Sequence, residues 1–333
     1  MSFDRPVRGL VGVAVGKFNP PHLGHLHLIR KGASIVDRLY VLLCDRPDQT
    51  IAVGRRFDWL SDAVPDNVTI IVTPDDLPAE NRPWAERALS VLPERPDMAF
   101  TSESWGGQWA ELMGARHRLV DLDRRAFPVS GTQLRADLGA NFRWLVPAAR
   151  AELSRRVVVV GAESTGKSTI AEALAEATNS VWAPEHGRWY WEGRRYRADQ
   201  SWEPDEFLRI ALAQHRLQDD LARQSSNGLV ISDTDALVSA VWHERYLGST
   251  GQELTEFAAV NVPDLYLVCA DDFDWVQDGT RESHEHRASM QRSIQVRVEA
   301  SGAQVVVLTG SHEQRLSSAL DALEALRQFP ELI

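Results

Sequence analysis

Two clusters of residues in this chain have the types and spacing that handle phosphate. The first is Gly16-Lys17-Phe18-Asn19-Pro20-Pro21-His22-Leu23-Gly24-His25, with two imidazoles three residues apart. At the start of a helix that spacing puts both rings on one face, beside the positive end of the helix dipole. A His-x-Gly-His unit there suits attack on the α-phosphate of a nucleotide. Such chemistry needs positioned donors that stabilise the departing pyrophosphate, and little covalent help. Gly24 would let a nucleotide approach the backbone, and Gly16 would supply a tight turn after a strand. With Phe18 they make up the ATP contacts expected of this segment. The plainer alternative is a pair of surface histidines after a Pro-Pro turn.

The second cluster, Gly161-Ala162-Glu163-Ser164-Thr165-Gly166-Lys167-Ser168, has the complete G-x-x-x-x-G-K-S spacing. In such a loop backbone amides cradle phosphates, the lysine reaches the β- and γ-phosphates, and the serine hydroxyl ligates Mg²⁺. The expected ATP contacts are Gly161, Glu163, Ser164, Thr165, Gly166, Ser168 and Thr169, with Lys167 catalytic.

Each cluster has companions. Ser130-Gly131-Thr132-Gln133-Leu134-Arg135 places Thr132 and Arg135 on one helix face, where with Ser130 they would grip the same nucleotide's phosphates. Ser130 and Gln133 also fit an ordinary capping box. Asp233-Thr234-Asp235 follows the apolar run Leu229–Ser232, at the edge where open α/β sheets bind ligands. Asp233 is read as holding the metal's water shell, and Asp235 as orienting or deprotonating an acceptor hydroxyl if the backbone stays extended. A helix cap is the competing reading for Asp235. Glu185 is placed in the same crevice, as an acceptor contact or as a solvated charge. Asp278-Gly279-Thr280-Arg281 with Arg287 reads as a lid bringing arginine to the transferring phosphate, against a solvated charged helix face. Eleven tryptophans offer aromatic faces for a cationic ring. Trp84 is the candidate at the first site and Trp182 or Trp189 at the second.

The elements that must position these groups are strands alternating with helices, the pattern of parallel sheets covered on both faces. Strands are predicted at Leu10–Val15, Leu39–Cys44, Val68–Val72 and Met98–Thr101, with Arg116–Val120 leading toward a helix near Thr132. A helix should run from Pro20-Pro21 to about Val36. After a short helix or linker over Pro147–Arg156, the strand Val157–Val160 opens a second unit. A helix at Lys167–Thr178 and strands near Val181, at Leu229–Ser232, Leu265–Val268 and Val305–Leu308 follow. A closing helix, Glu313–Gln328, shows Leu316, Leu320, Leu323 and Leu326 at helical spacing. The fold expected is two doubly wound parallel α/β domains, a Rossmann-like nucleotidyltransferase at 1–150 and a P-loop kinase at 155–333.

Composition agrees. At 333 residues, 44% hydrophobic and 25% charged, the chain is an ordinary globular sequence long enough for two cores. A net charge of -11 argues against wholesale attraction to nucleic acid or anionic membrane. No signal-peptide core and no membrane-length apolar run is present. Cys44 and Cys269 each end an apolar run, which suggests buried thiols in a reducing cytoplasm and no zinc site.

The stretches GKFNPPHLGH, SGTQLR and NFRWLVPAAR resemble the nicotinamide mononucleotide (NMN) adenylyltransferase half of the NadR family. GAESTGKST, APEHGRWYWE, SDTDALV and DWVQDGTR are similar to its ribosylnicotinamide kinase half. The resemblance implies phosphorylation of nicotinamide riboside in the C-terminal domain, then adenylyl transfer from ATP to NMN in the N-terminal one, giving NAD and pyrophosphate. It implies ATP and Mg²⁺ as cofactors, the small molecules nicotinamide riboside, NMN and NAD as partners, and a form without the family's N-terminal DNA-binding domain. The reading leaves homo-oligomerisation open. A coenzyme A-type adenylyltransferase–kinase fusion and a nucleotide-sensing regulator without turnover are the alternatives.

Overall fold

The computed structural model describes residues 9–194, 196, 201–272 and 284–326. The chain folds as two compact units that divide between Ala149 and Arg150.

The first unit is built on strands β1 (Val11–Gly16), β2 (Arg38–Asp45), β3 (Val68–Pro74), β4 (Met98–Thr101) and β5 (Arg116–Leu119). They lie in the order β3-β2-β1-β4-β5, all parallel. Because side chains alternate along a strand, each face receives its own set. Val11, Val13, Tyr40 and Leu42 pack against α3 (Asn81–Val91) and α4 (Gly106–Met113). Ala14, Leu39, Val41 and Leu43 pack with α1 (Leu23–Ala33) and α2 (Val53–Ser61) on the other face. Strand order reverses beside β1, so a crevice opens between the loops after β1 and β4, where such sheets bind ligands.

The second unit repeats the plan. Its strands are β6 (Arg155–Val160), β7 (Val181–Ala183), β8 (Leu229–Asp233), β9 (Leu265–Cys269) and β10 (Gln304–Leu308), again parallel, in the order β10-β9-β6-β8-β7. Val157–Val160 is buried along its whole length, as a central strand covered on both faces must be. One face packs on α8 (Lys167–Thr178) and α14 (His312–Leu326), the other on α11 (Ala236–Leu247) and α13 (His284–Ala300). Leu316, Leu320, Leu323 and Leu326 of α14 all meet the first of these cores, as their spacing predicts. The helix predicted to reach Val36 stops at Ala33, where Ser34 caps it with its amide on Arg30 and its hydroxyl on Lys31. Cys44 and Cys269 are buried and unpaired. Among the described residues no helix is long and apolar enough to cross a membrane.

Candidate active sites

In the first unit, His22 is the N-cap of α1 and faces His25 in a reciprocal capping box. Each imidazole Nδ1 accepts the other residue's backbone N–H at 3.3 Å. The rings stack with centroids 3.5 Å apart. With both Nδ1 atoms accepting, the ring protons belong on Nε2, and the rings are neutral donors. Burial, reinforced by the charge of Arg124, lowers the pKa of His22 to about 3. Burial, then His22 and Arg124, holds His25 well below its ordinary value. A pair of neutral N–H donors at a helix N-terminus can take phosphate oxygens without titrating near neutrality.

These lowered values have a consequence for stability. An imidazole that stays neutral in the folded chain takes up a proton on unfolding at acid pH, so stability rises with pH between about 3 and 6.5 and is lost as pH falls through that window. Acidifying should therefore lower the unfolding temperature of the first unit. His22→Asn, which keeps an N-cap acceptor, should flatten that slope; an unchanged slope would mean that His22 is charged when folded.

The pair lines a cavity of about 620 Å³ together with Gly24, Lys17, Arg46, Asp75, Trp84, Glu103 and Arg124. An adjoining cleft of about 380 Å³ contains Ser130, Thr132 and Arg135 as well as His25, Lys17, Arg46 and Arg124. The two motifs of this unit thus meet. Arg135 donates one nitrogen to the Asn19 carbonyl and another to Thr132 Oγ1 at 3.4 Å. Ser130 caps its helix (α5, Gly131–Ala136) through Gln133 N–H at 3.2 Å and lines the cleft at the same time. Trp84 is tied to the Pro78 carbonyl at 3.1 Å and presents an aromatic wall.

Two expectations change. Gly16 ends β1 and makes no turn; the left-handed residue is Phe18, at φ 46. Gly16 is small because a Cβ there would lie 3.0 Å from the Phe18 ring. Phe18 is only 1% exposed, so its ring belongs to the core and braces His25 edge-on at 4.9 Å. Gly24 is likewise crowded by the His22 ring, 3.1 Å from a Cβ. Cys44 lines the cavity, but burial pushes its thiol up to about 12, which removes it as a nucleophile.

Sequence reasoning assigned no role to Lys17, Arg46 or Arg124. Lys17 pairs with Asp75 at 3.1 Å, Arg46 with Asp48 and Arg124 with Glu103. Arg124 is held out by a loop in which Asp121 accepts the amides of Arg125 and Ala126. Lys17 and Arg46 each directly follow a strand's C-terminal end or its last residue, and that position is the signal that would have found them.

Gly131 lets α5 approach this site, since a Cβ would lie 2.9 Å from the Asn19 carbonyl oxygen. Gly131→Ala should push Arg135 and Thr132 off the cleft, raising the KM for ATP in the first unit's reaction and leaving the second unit's reaction as an internal control. An unchanged KM would mean that α5 does not grip the nucleotide.

In the second unit the phosphate loop leaves β6 at Gly161, φ 151, where a Cβ would meet Thr165 Oγ1 at 2.7 Å and the Cys269 carbonyl at 2.8 Å. Left-handed turns at Ser164 and Gly166 bring the chain to Lys167 at the start of α8. Thr165 is wholly buried and its hydroxyl is spent on the Ala162 carbonyl at 2.8 Å, so it offers only backbone to a ligand. Lys167 Nζ rests on the same carbonyl at 3.0 Å. Glu163 and Ser164 form the middle of the loop; Ser168 and Thr169 stand in the first turn of α8, where amides point out unsatisfied. The wholly buried Arg315 donates to the Thr165, Ala270 and Gly310 carbonyls and to Asp272, tying the loop to the ends of β9 and β10. Arg56 does the same in the first unit, joining the Lys17, Cys44 and Ile51 carbonyls and Asp45.

Asp233 ends β8, 1% exposed, and its Oδ1 has no hydrogen-bond partner. Thr234 then takes φ 72, so the backbone is not extended and the two aspartates do not share a face. Asp235 is turned into the protein. Its Oδ1 caps α11 through Leu237 and Val238 N–H, and its Oδ2 accepts the Tyr266 hydroxyl at 2.6 Å. Burial pushes this carboxyl up, against those bonds. With both oxygens occupied, Asp235 is a structural cap, contrary to the expected acceptor role. Glu185 does reach the crevice: burial raises its pKa, Lys167 pulls it back, and Asp233 and Glu163 push it up again.

Trp189 lies on α9 (His186–Arg194), 53% exposed, with its ring edge-on to His186. Trp182 packs against the sheet core. Arg287 is buried on α13, one turn before Gln291, whose Oε1 accepts the Ala162 N–H at 2.8 Å. Arg281 and the rest of the expected lid lie outside the described residues. Among the described residues no cluster of three or more His, Cys, Asp or Glu forms a metal site. A cation held partly by a nucleotide needs fewer ligands, and the orphaned Asp233 Oδ1 with the Ser168 hydroxyl suits one.

Residues 13–136 match the cytidylyltransferase-like family and residues 156–315 the AAA domain family. The chain is 26% identical over 293 residues to the trifunctional NAD biosynthesis/regulator protein NadR of Salmonella typhimurium and to that of Escherichia coli, spanning 81% of this chain and 71% of each relative. Two solved structures share its fold over 96% of both chains at 23% identity. One is a NadR protein in complex with NAD and AMP-PNP, TM-score 0.64, and the other a NadR protein in complex with NR, TM-score 0.68. With both motifs seated on their own parallel sheets, the chain is similar to the NadR proteins over most of its length and shares the fold of the two solved ones.

Proposed function

We propose that the chain is a bifunctional enzyme of NAD biosynthesis, a ribosylnicotinamide kinase in its second unit and an NMN adenylyltransferase in its first. The observation that carries this reading is the pairing of a neutral His22–His25 donor pair beside a cation-lined cleft with a phosphate loop facing Asp233. The kinase product is the adenylyltransferase substrate, which gives the pairing chemical sense. The relatives' name and the ligands of the two solved structures point the same way.

In the kinase, Lys167 leaves the Ala162 carbonyl to meet the β- and γ-phosphates, and the amides of 163–168 cradle them. Mg²⁺, held by Ser168 and through water by Asp233, would neutralise charge on the transferring group. Glu185 stands beside Lys167 and Asp233 to orient the 5′-hydroxyl and receive its proton. In the adenylyltransferase, Arg135, Thr132 and Ser130 hold the β- and γ-phosphates, and His22 and His25 donate Nε2–H bonds to oxygens that gain charge as pyrophosphate leaves. Trp84 offers its face to the cationic pyridinium. Trp189 and Arg287 are assigned to the riboside and nucleotide sides of the kinase.

The net charge of -11 disfavours general attraction to nucleic acid. Buried thiols suit a reducing cytoplasm. Incubating the pure protein with ATP, Mg²⁺ and either nicotinamide riboside or pantetheine derivatives tests the assignment. Turnover of the riboside through NMN to NAD is expected, and turnover of pantetheine substrates alone would replace it with the coenzyme A reading.

A further inference from the structure

We infer that Gln214 is a positioning residue of the kinase, fixing Glu185 against Asp233; the inference rests on the kinase reading above. Gln214 lies on α10 (Pro204–Ala222) and is 1% exposed. Its single amide spans the chain neighbours of both carboxylates. Oε1 accepts the backbone N–H of His186, the residue after Glu185, at 2.7 Å. Nε2 donates to the hydroxyl of Ser232, the residue before Asp233, at 3.1 Å.

Ser232 passes the restraint on. Its hydroxyl donates to the Thr234 carbonyl at 2.9 Å and so holds a β-branched residue in the left-handed region at φ 72. Such a conformation persists only where its surroundings fix it, and it clusters at functional sites. The same turn leaves Asp233 at the strand end and sends Asp235 inward. The half-buried Glu185 and the buried Asp233 repel, and the planar amide bridging the His186 N–H and the Ser232 hydroxyl holds their separation. A buried polar network of this kind specifies geometry more than it adds stability.

Gln218 supplies the comparison. One turn further along α10, it donates to the same Ser232 hydroxyl at 2.8 Å, and it has no bond to His186 in the structure's hydrogen-bond network. A role limited to tying α10 to the sheet would make the two glutamines equivalent. A role in spacing the carboxylates makes Gln214 the sensitive one.

The test compares wild type, Gln214→Leu and Gln218→Leu with ATP, Mg²⁺ and nicotinamide riboside, reading kcat and KM separately, with NMN adenylylation as a control for folding. Gln214→Leu should lower kinase kcat roughly 10- to 100-fold and leave the ATP KM within about twofold, the cost of misplacing reacting groups by a fraction of an ångström. Gln218→Leu should stay within about threefold of wild type, on the same scale of misplacement. A second pair leaves α10 untouched. His186→Pro removes the N–H that Gln214 accepts, at a first helical position where proline is tolerated, and His186→Ala keeps it. His186→Pro should reproduce the loss and His186→Ala should not. Equal losses in both glutamine variants, a loss confined to the ATP KM, or indifference to His186→Pro would overturn the inference. A wild type with no riboside turnover would instead overturn the kinase reading.

Discussion

Asp233→Asn is expected to lower riboside phosphorylation by roughly a hundredfold or more, with a weaker dependence on Mg²⁺, and to leave NMN adenylylation at the wild-type rate. The carboxylate sits at the end of β8, almost wholly buried, with Oδ1 unpartnered. Burying a bare carboxylate oxygen is costly unless a charge or donor arrives to meet it. An amide of the same shape keeps the packing and removes the charge, so loss of turnover with an unchanged unfolding temperature is the diagnostic pair. Asp235→Asn should do the opposite. Its oxygens cap α11 and accept from Tyr266, so the variant should unfold at lower temperature while its riboside KM stays near wild type. A double variant with wild-type kinase rates would contradict the metal-holding role of Asp233.

His25→Ala should cut adenylyl transfer roughly 10²- to 10³-fold, the usual cost of one preorganised donor to developing oxyanion charge. The ring supplies a neutral N–H donor and also receives the His22 amide at its Nδ1. Removing it therefore loosens the start of α1 as well as the phosphate contact. His25→Asn would restore a small acceptor toward the His22 amide without restoring the donor at the position of Nε2. Recovered stability without recovered turnover separates the two contributions. Because burial and Arg124 keep both rings neutral, the wild-type rate should not fall as pH drops from 7.5 through 6.5, the ordinary imidazole value. A loss of rate centred near 6.5 would show that one ring titrates there.

Much of this was legible in the sequence, for a physical reason. Strands buried on both faces, such as Val157–Val160, are unbroken apolar runs, and phosphate loops carry glycines at fixed offsets because a Cβ would strike neighbouring backbone, as at Gly161. The helix at Lys167–Thr178 and the strand at Met98–Thr101 fall where pattern places them. What was hidden depends on conformation or on distant partners. Nothing local announces that Thr234 turns left-handed, yet that one dihedral makes Asp235 a cap and frees Asp233. Gly16 reads as a turn, but it is small for Phe18, and Phe18 makes the turn. Arg56 and Arg315 look like surface charges on helices. Only the fold shows each of them buried and holding a loop carbonyl, 39 and 150 residues away in sequence respectively.

The most direct test of two separate sites follows riboside, NMN and NAD over time in wild type, Lys167→Ala and His25→Ala, each supplied with ATP and Mg²⁺ and with either nicotinamide riboside or NMN. Lys167→Ala should make no NMN from the riboside and should convert added NMN to NAD at the wild-type rate. His25→Ala should accumulate NMN and make almost no NAD. Loss of both reactions in either folded variant would contradict the assignment of one reaction to each unit.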